Sequence, residues 1–337
     1  MLYDLVALGM WLYARAAFRL VVVGRLRLEP GQLLLATHRA NADVPIICAA
    51  LFFRAGIWRR HRFRLHFAAR DDLFEPGALA ALTPGLPRPL RRALFAVEPA
   101  PLLARVRVHP VRSRSTMKLA QARRALVPGE QLRPDDIDVL WRTVHPEDVP
   151  SPALWQAWAA AAVSDLRELV GVVRARHPLL LFPEGTPSAD GAIGPLGRGL
   201  RVLVRRGRPE QLVPIGLAYD PLTAGRPRAL LGLGAPFPPG EGDVEDEVLA
   251  RLRRAVPLTC GQVAASELRA RGRLTLDELD AALAAAVATE GRPPDPLLAD
   301  PVLRRRRAAD CLAALVRSGA DDPLVARLAR ERASANA

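Results

Sequence analysis

An α/β fold is predicted, on three observations. Short apolar runs alternate with segments of helical periodicity between about residues 20 and 235. Half of the 337 residues are hydrophobic, enough to bury a sizeable core as one domain with an appendage. From about 240 onward the composition turns to helices rich in Ala, Leu, Arg and Glu, with a break at Arg292-Pro293-Pro294-Asp295-Pro296. The division that follows is an N-terminal amphipathic helix (1–20), an α/β domain (21–239) and a helical C-terminal extension (240–337).

The longest uncharged apolar run near the start, Leu5 to Ala14, falls short of the roughly 20 residues a spanning helix needs. Asp4, Arg15 and Arg19 bracket it, and Tyr3, Trp11, Tyr13 and Phe18 supply interfacial side chains, so residues 2–20 are expected to lie on a bilayer or pack on the domain. The first residues, Met-Leu-Tyr-Asp, have no basic leader of the kind a signal peptide carries. Leu20–Leu28 and Gln32–Thr37 read as strands joined through the turn Glu29-Pro30-Gly31. Asp43–Phe53 has helical periodicity, with Pro45 in its first turn, where proline is tolerated. Arg64–Ala69 reads as a strand, Pro76–Pro89 as a Gly/Pro-rich loop, Arg105–Val111 as a strand and 115–126 as a helix.

Residues 128–152 are polar and proline-rich without periodicity and read as an insertion, a lid or a spacer. Leu154–Arg174 is a helix leading into a strand at Leu179–Phe182, and Leu212–Leu217 is one more strand.

Net charge is +13, almost wholly from arginine, since Lys118 is the only lysine. Such a surface favours anionic partners: lipid headgroups, coenzyme A phosphates, acyl carrier protein or nucleic acid. Nucleic acid is disfavoured, because the arginines are scattered and no Cys/His finger or aromatic–arginine alternation accompanies them. Cys48, Cys260 and Cys311 are odd in number and far apart, with no metal spacing and no disulfide framework, as expected of a reducing cytoplasm. Cys48 lies in the apolar stretch 44–53 and reads as core.

Two segments carry chemistry. The run Leu33-Leu34-Leu35-Ala36 ends in Thr37-His38-Arg39-Ala40-Asn41-Ala42-Asp43, a histidine with an aspartate five residues on: a general base and its orienting acid, or a backbone-bonded histidine and a helix cap. Leu179-Leu180-Leu181 runs into Phe182-Pro183-Glu184-Gly185-Thr186-Pro187-Ser188, where a carboxylate, a glycine and hydroxyls meet at a strand end, a place for binding or chemistry.

Together these segments resemble the glycerolipid acyltransferases, the family of lysophosphatidic acid and glycerol-3-phosphate acyltransferases. Its first motif, His-x-x-x-x-Asp, is matched by His38 and Asp43, and its third, Phe-Pro-Glu-Gly-Thr-Arg-Ser, at six of seven positions by 182–188. Val108-His109-Pro110-Val111-Arg112 resembles the second motif, Val213-Pro214-Ile215 the fourth, and Gly194–Gly199 the glycine-rich step after the third. The resemblance covers roughly residues 10 to 235.

It implies an acyltransferase-like sheet flanked by helices and an enzyme that moves an acyl group from acyl-coenzyme A or acyl carrier protein to a glycerolipid hydroxyl. No metal and no cofactor beyond the acyl donor are implied. His38 would be the base and Asp43 its orienter. A histidine's ordinary pKa of about 6.5 suits that task. Glu184 would bond a hydroxyl of the acceptor, Gly185 would admit the backbone, and Thr186 and Ser188 would donate to phosphate oxygens or hold the turn. Pro187 stands where the family has arginine, so Arg39, Arg112 and Arg198 are the substitutes for binding phosphate, Arg112 foremost. The acceptor implied first is 1-acyl-sn-glycerol-3-phosphate. Glycerol 3-phosphate is second, since Thr37-His38-Arg39 is similar to members that acylate it. Contact with a membrane surface on its cytoplasmic face is also implied. Pro187 and Ala40 leave open a catalytically silent lipid-binding protein of the same fold.

Overall fold

The computed structural model describes residues 2–54, 64–81, 86–112, 117–126, 142–144, 147, 151–188, 190–240, 242–318 and 322–337. The strands are β1 (Arg19–Val23), β2 (Gln32–Ala36), β3 (His66–Arg70), β4 (Val108–Val111), β5 (Met117–Lys118), β6 (Thr143–Val144), β7 (Leu179–Leu181), β8 (Gln211–Asp220) and β9 (Arg228–Leu233). Seven of them form one mixed sheet in the order β1-β9-β8-β2-β7-β3-β4. β8, β2, β7, β3 and β4 are mutually parallel; β9 runs antiparallel to β8, and β1 runs parallel to β9. β5 and β6 pair separately.

The helices are α1 (Leu2–Ala17), α2 (Asp43–Arg54), α3 (Ala78–Ala81), α4 (Arg88–Phe95), α5 (Pro99–Arg105), α6 (Leu119–Leu126), α7 (Pro152–Arg174), α8 (Gly199–Val202), α9 (Val244–Ala255), α10 (Cys260–Arg271), α11 (Leu276–Thr289), α12 (Pro296–Ala299), α13 (Pro301–Ser318) and α14 (Pro323–Asn336). The continuous apolar runs that marked β2, β7 and β8 suit parallel strands covered on both faces. In β2 the side chains alternate: Leu34 and Ala36 pack with Ile46, Ile47 and Leu51 of α2, while Leu33 and Leu35 pack with Leu169 and Val173 of α7 and Val248 and Leu252 of α9.

Four elements differ from expectation. β1 is shorter than 20–28 and does not neighbour β2. It lies at the sheet edge beside β9, a strand in Arg228–Leu233 that the sequence reading passed over. The expected 76–89 loop contains α3 and the start of α4, and the expected 105–111 strand begins only at Val108, because α5 runs to Arg105 and a turn follows. Pro89, at the end of that loop, sits in the first turn of α4, where a missing N–H is no loss. In 115–126 the helix begins only at Leu119, after β5. The proposed 128–152 insertion lies almost wholly outside the described residues.

α1 buries Ala7 and Ala14, with Met10 and Trp11 packed on the core, and exposes Leu5, Leu8, Leu12 and Tyr13. Among the described residues no helix is long and apolar enough to cross a membrane. The C-terminal helices have their own apolar core, containing Val263, Leu279, Leu283, Val325 and Leu328. They are also tied to the sheet by buried ion pairs, Arg228 of β9 with Asp295 at 2.6 Å and Asp220 of β8 with Arg307 at 2.6 Å.

Candidate active site

The candidate site lies beyond the C-terminal ends of β2 and β7, neighbours in the sheet. Open α/β sheets place ligands at such strand ends. Thr37 carries the β2–β8 ladder one step further: its N–H donates to Ile215 O at 3.0 Å, and its hydroxyl accepts from Leu217 N at 2.9 Å. The chain then turns, and the fully buried Asp43 opens α2.

Four donors converge on the Asp43 carboxylate. Oδ2 accepts from the backbone N–H of Arg39 at 2.5 Å and of Ala40 at 2.9 Å, and faces His38 Nδ1 at 2.8 Å. Oδ1 accepts from the Tyr219 hydroxyl at 2.6 Å. Burial, with Asp43 beside it, pushes the Tyr219 phenol above its ordinary value, so the tyrosine is held as a donor. An acceptor-only carboxylate assigns the imidazole proton to Nδ1 and leaves Nε2 as the free lone pair. The His38 side chain is 13 % exposed, so the ring is not sealed in the core.

Three contacts join this loop to the 182–188 turn, across 146 residues of sequence. His38 N donates to Glu184 Oε1 at 2.9 Å, and Ser188 N donates to His38 O at 2.9 Å. The His38 and Phe182 rings stack with centroids 4.3 Å apart. The second Glu184 oxygen accepts from Gly194 N at 3.0 Å. Burial pushes the Glu184 carboxyl up from its usual range, opposed by these two N–H groups. Each oxygen thus accepts one backbone N–H, and Glu184 braces the two loops against each other.

The other sequence candidates divide. Gly185, at φ 77°, and Thr186 are exposed at the tip of the turn. The Ser188 hydroxyl accepts from Gly191 N at 2.8 Å and bonds Asp190 at 3.2 Å, so it holds the turn. Arg39 is buried, donating to Gly191 O and paired with Glu331, and offers no surface cation. Arg112 pairs with Asp165 at 2.8 Å and with Asp71 at 3.6 Å, so its charge is already matched by carboxylates. Arg198 is exposed, in the segment whose Gly194 and Gly197 bond the 182–188 turn. Among the described residues no three His, Cys, Asp or Glu side chains converge as a metal requires.

Tyr219 and the α14 residues behind Arg39 were missed by the sequence reading. Their contacts span 176 residues and more, and no local pattern marks them.

No family model and no curated protein matches this sequence. Among solved structures the chain is similar to the 1-acyl-sn-glycerophosphate (LPA) acyltransferase PlsC from Thermotoga maritima, at 14% identity and a TM-score of 0.40, over 74% of this chain and 78% of that one. A likeness at that level says nothing of this chain's substrate.

Proposed function

We propose that the protein is an O-acyltransferase that moves a fatty acyl group from a thioester, acyl-coenzyme A or acyl carrier protein, to the hydroxyl of a glycerolipid acceptor. The observation that carries this reading is His38 Nδ1 at 2.8 Å from a fully buried carboxylate, on a loop bonded to the 182–188 turn through Glu184 and Ser188. Nε2 takes the acceptor's hydroxyl proton as the oxygen attacks the thioester carbonyl. Asp43 stabilises the imidazolium, and collapse of the tetrahedral intermediate releases the thiolate, which regains that proton. The products are an ester and a free thiol. No side-chain nucleophile is required, consistent with Ser188 being committed to its loop and Cys48 buried in the core.

1-Acyl-sn-glycerol-3-phosphate is the acceptor of first choice and glycerol 3-phosphate the second, with Arg198 as the cation presented to a phosphate. A second reading, an unphosphorylated lysolipid or alcohol, is favoured by the pairing of Arg39 and Arg112 with carboxylates and by Pro187. The outward face of α1, Leu5, Leu8, Leu12 and Tyr13, would rest on the cytoplasmic face of a membrane.

The test is thiol release from palmitoyl-coenzyme A, and then from acyl carrier protein, with each acceptor offered separately and His38→Ala as the control. His38-dependent release with one acceptor supports the reading and names the subclass. No release with any donor–acceptor pair would leave a silent lipid-binding protein.

A further inference from the structure

α14 touches both halves of the site. On the first loop, Arg327 Nη2 donates to the Arg39 carbonyl at 2.8 Å, and Glu331 pairs with Arg39 Nε at 3.4 Å, the two side chains being 5% and 0% exposed respectively. On the second loop, Ser334 Oγ accepts from Ile193 N at 2.8 Å, and Arg330 Nε donates to the Asp190 carbonyl at 3.3 Å. The Arg39 guanidinium bridges the loops by donating to Gly191 O. Gly191 has φ +86°, and a Cβ there would lie 2.9 Å from the Arg327 carbonyl oxygen and 3.3 Å from the Glu331 Cβ, so the close approach of α14 depends on glycine. From behind, the helix is held by buried Val325 and Leu328 and by Arg332, which pairs with Glu290 at 2.7 Å.

Arg39 connects this contact to the chemistry. Its side chain is gripped by α14, and its own amide is one of the donors on Asp43 Oδ2, at 2.5 Å. Without Glu331, Arg39 is a buried charge lacking that counter-ion and has to move, taking its amide with it. We infer that α14 is a latch that fixes the geometry of the His38–Asp43 pair. Glu331, acting through Arg39, and Ser334, acting through Ile193, are positioning residues that hold the 37–43 and 190–194 loops in register.

The inference rests on the reading of His38 and Asp43 as the reacting pair, so its test has a readout that needs no substrate. The imidazole of His38 is followed by 15N–1H NMR in the full-length protein, assigned by its loss in His38→Ala, and titrated from about pH 5 to about pH 9. Wild type is compared with Glu331→Gln, Ser334→Ala and Arg332→Ala. In Glu331→Gln and Ser334→Ala the His38 midpoint is expected to move by about half a unit or more, with weakening of the Nδ1 proton resonance. Arg332→Ala, on the same helix but facing Glu290, is expected to lower Tm and leave the His38 titration in place. In the transfer assay the first two variants lose about tenfold in kcat at near-normal acceptor KM.

An unchanged His38 titration in both folded variants, or an equal shift in Arg332→Ala, would overturn the latch. Should Glu331→Gln fail to fold, Ser334→Ala, which removes only a hydroxyl, decides. A wild type without turnover would reject the acyl-transfer reading and leave the titration to judge the latch.

Discussion

One histidine and a group of three lie at opposite edges of the same sheet. His38 follows β2 at the carboxyl edge, where Nδ1 meets a buried carboxylate and the ring stacks on Phe182. His66 begins β3 and His177 precedes β7 at the amino edge, and with His109 of β4 they form a stack, with centroids 4.7 Å and 5.1 Å apart. There the nitrogens are consumed: His66 Nδ1 lies 2.8 Å from His109 Nε2, Arg107 lies 3.2 Å from His66 Nε2, and His109 Nδ1 reaches Glu168 at 2.6 Å. Burial first, and then Arg107 and the neighbouring rings, push His66 down to about 3. His38 is paired through Nδ1 with a carboxylate, and His66 is held neutral among its neighbours. The difference comes from the partners, since residue type and sheet are shared.

The largest expected effect breaks the symmetry outright. His38→Ala should lower acyl transfer by about 10²–10⁴-fold, the range for a lost general base, with Tm near that of wild type. Asp43→Asn should fall in the same range, because an amide in place of the carboxylate no longer fixes the imidazole tautomer. His66→Gln should do the reverse, lowering Tm and leaving kcat within about threefold. Comparable losses of kcat in His38→Ala and His66→Gln would mean that neither edge is privileged.

The sequence made one edge legible and left the other opaque, for physical reasons. β2, β7 and β8 are continuous apolar runs because their positions are covered on both faces, and a polar turn after such a run stands out. His38, Asp43 and 182–188 could therefore be found from local pattern, and the fold brings them into contact. What Arg112 does could not be found that way, because Asp165 is 53 residues distant and Asp71 belongs to another strand end. Tyr219 sits in a strand that reads as buried packing, and the α14 contacts with the Arg39 loop join positions 288 residues apart. The histidine stack is likewise a product of strand order, β7-β3-β4, which no run of residues spells out.

A middle-sized effect comes from pH. His66 is neutral in the folded protein down to about 3, whereas in the unfolded chain it takes up a proton below its ordinary value of about 6.5. Between those values the unfolded state binds more protons, so stability falls as pH falls, by at most about 1.4 kcal/mol per pH unit from this group. Denaturant titrations of wild type and His66→Gln should thus diverge at neutral pH and converge toward pH 4. Parallel curves would show that the stack does not govern acid sensitivity. Arg107, His109, His177 and Glu168 are the charged or titrating groups around it.

The smallest effect probes what makes the His38 edge different, the way its carboxylate is held. Tyr219→Phe removes the donor on Asp43 Oδ1, the one there among the described residues, and keeps the three contacts on Oδ2. One oxygen of a fully buried carboxylate then lacks a partner, which costs about 1–3 kcal/mol of stability. His38 still has its acceptor at Oδ2, so turnover should fall by only about three- to tenfold, equivalent to roughly 1 kcal/mol in the barrier. A loss as large as that of His38→Ala would make the tyrosine a participant in the reaction. No loss would mean that the amides of Arg39 and Ala40 orient Asp43 without the tyrosine, so that the loop α14 grips sets the carboxylate's position.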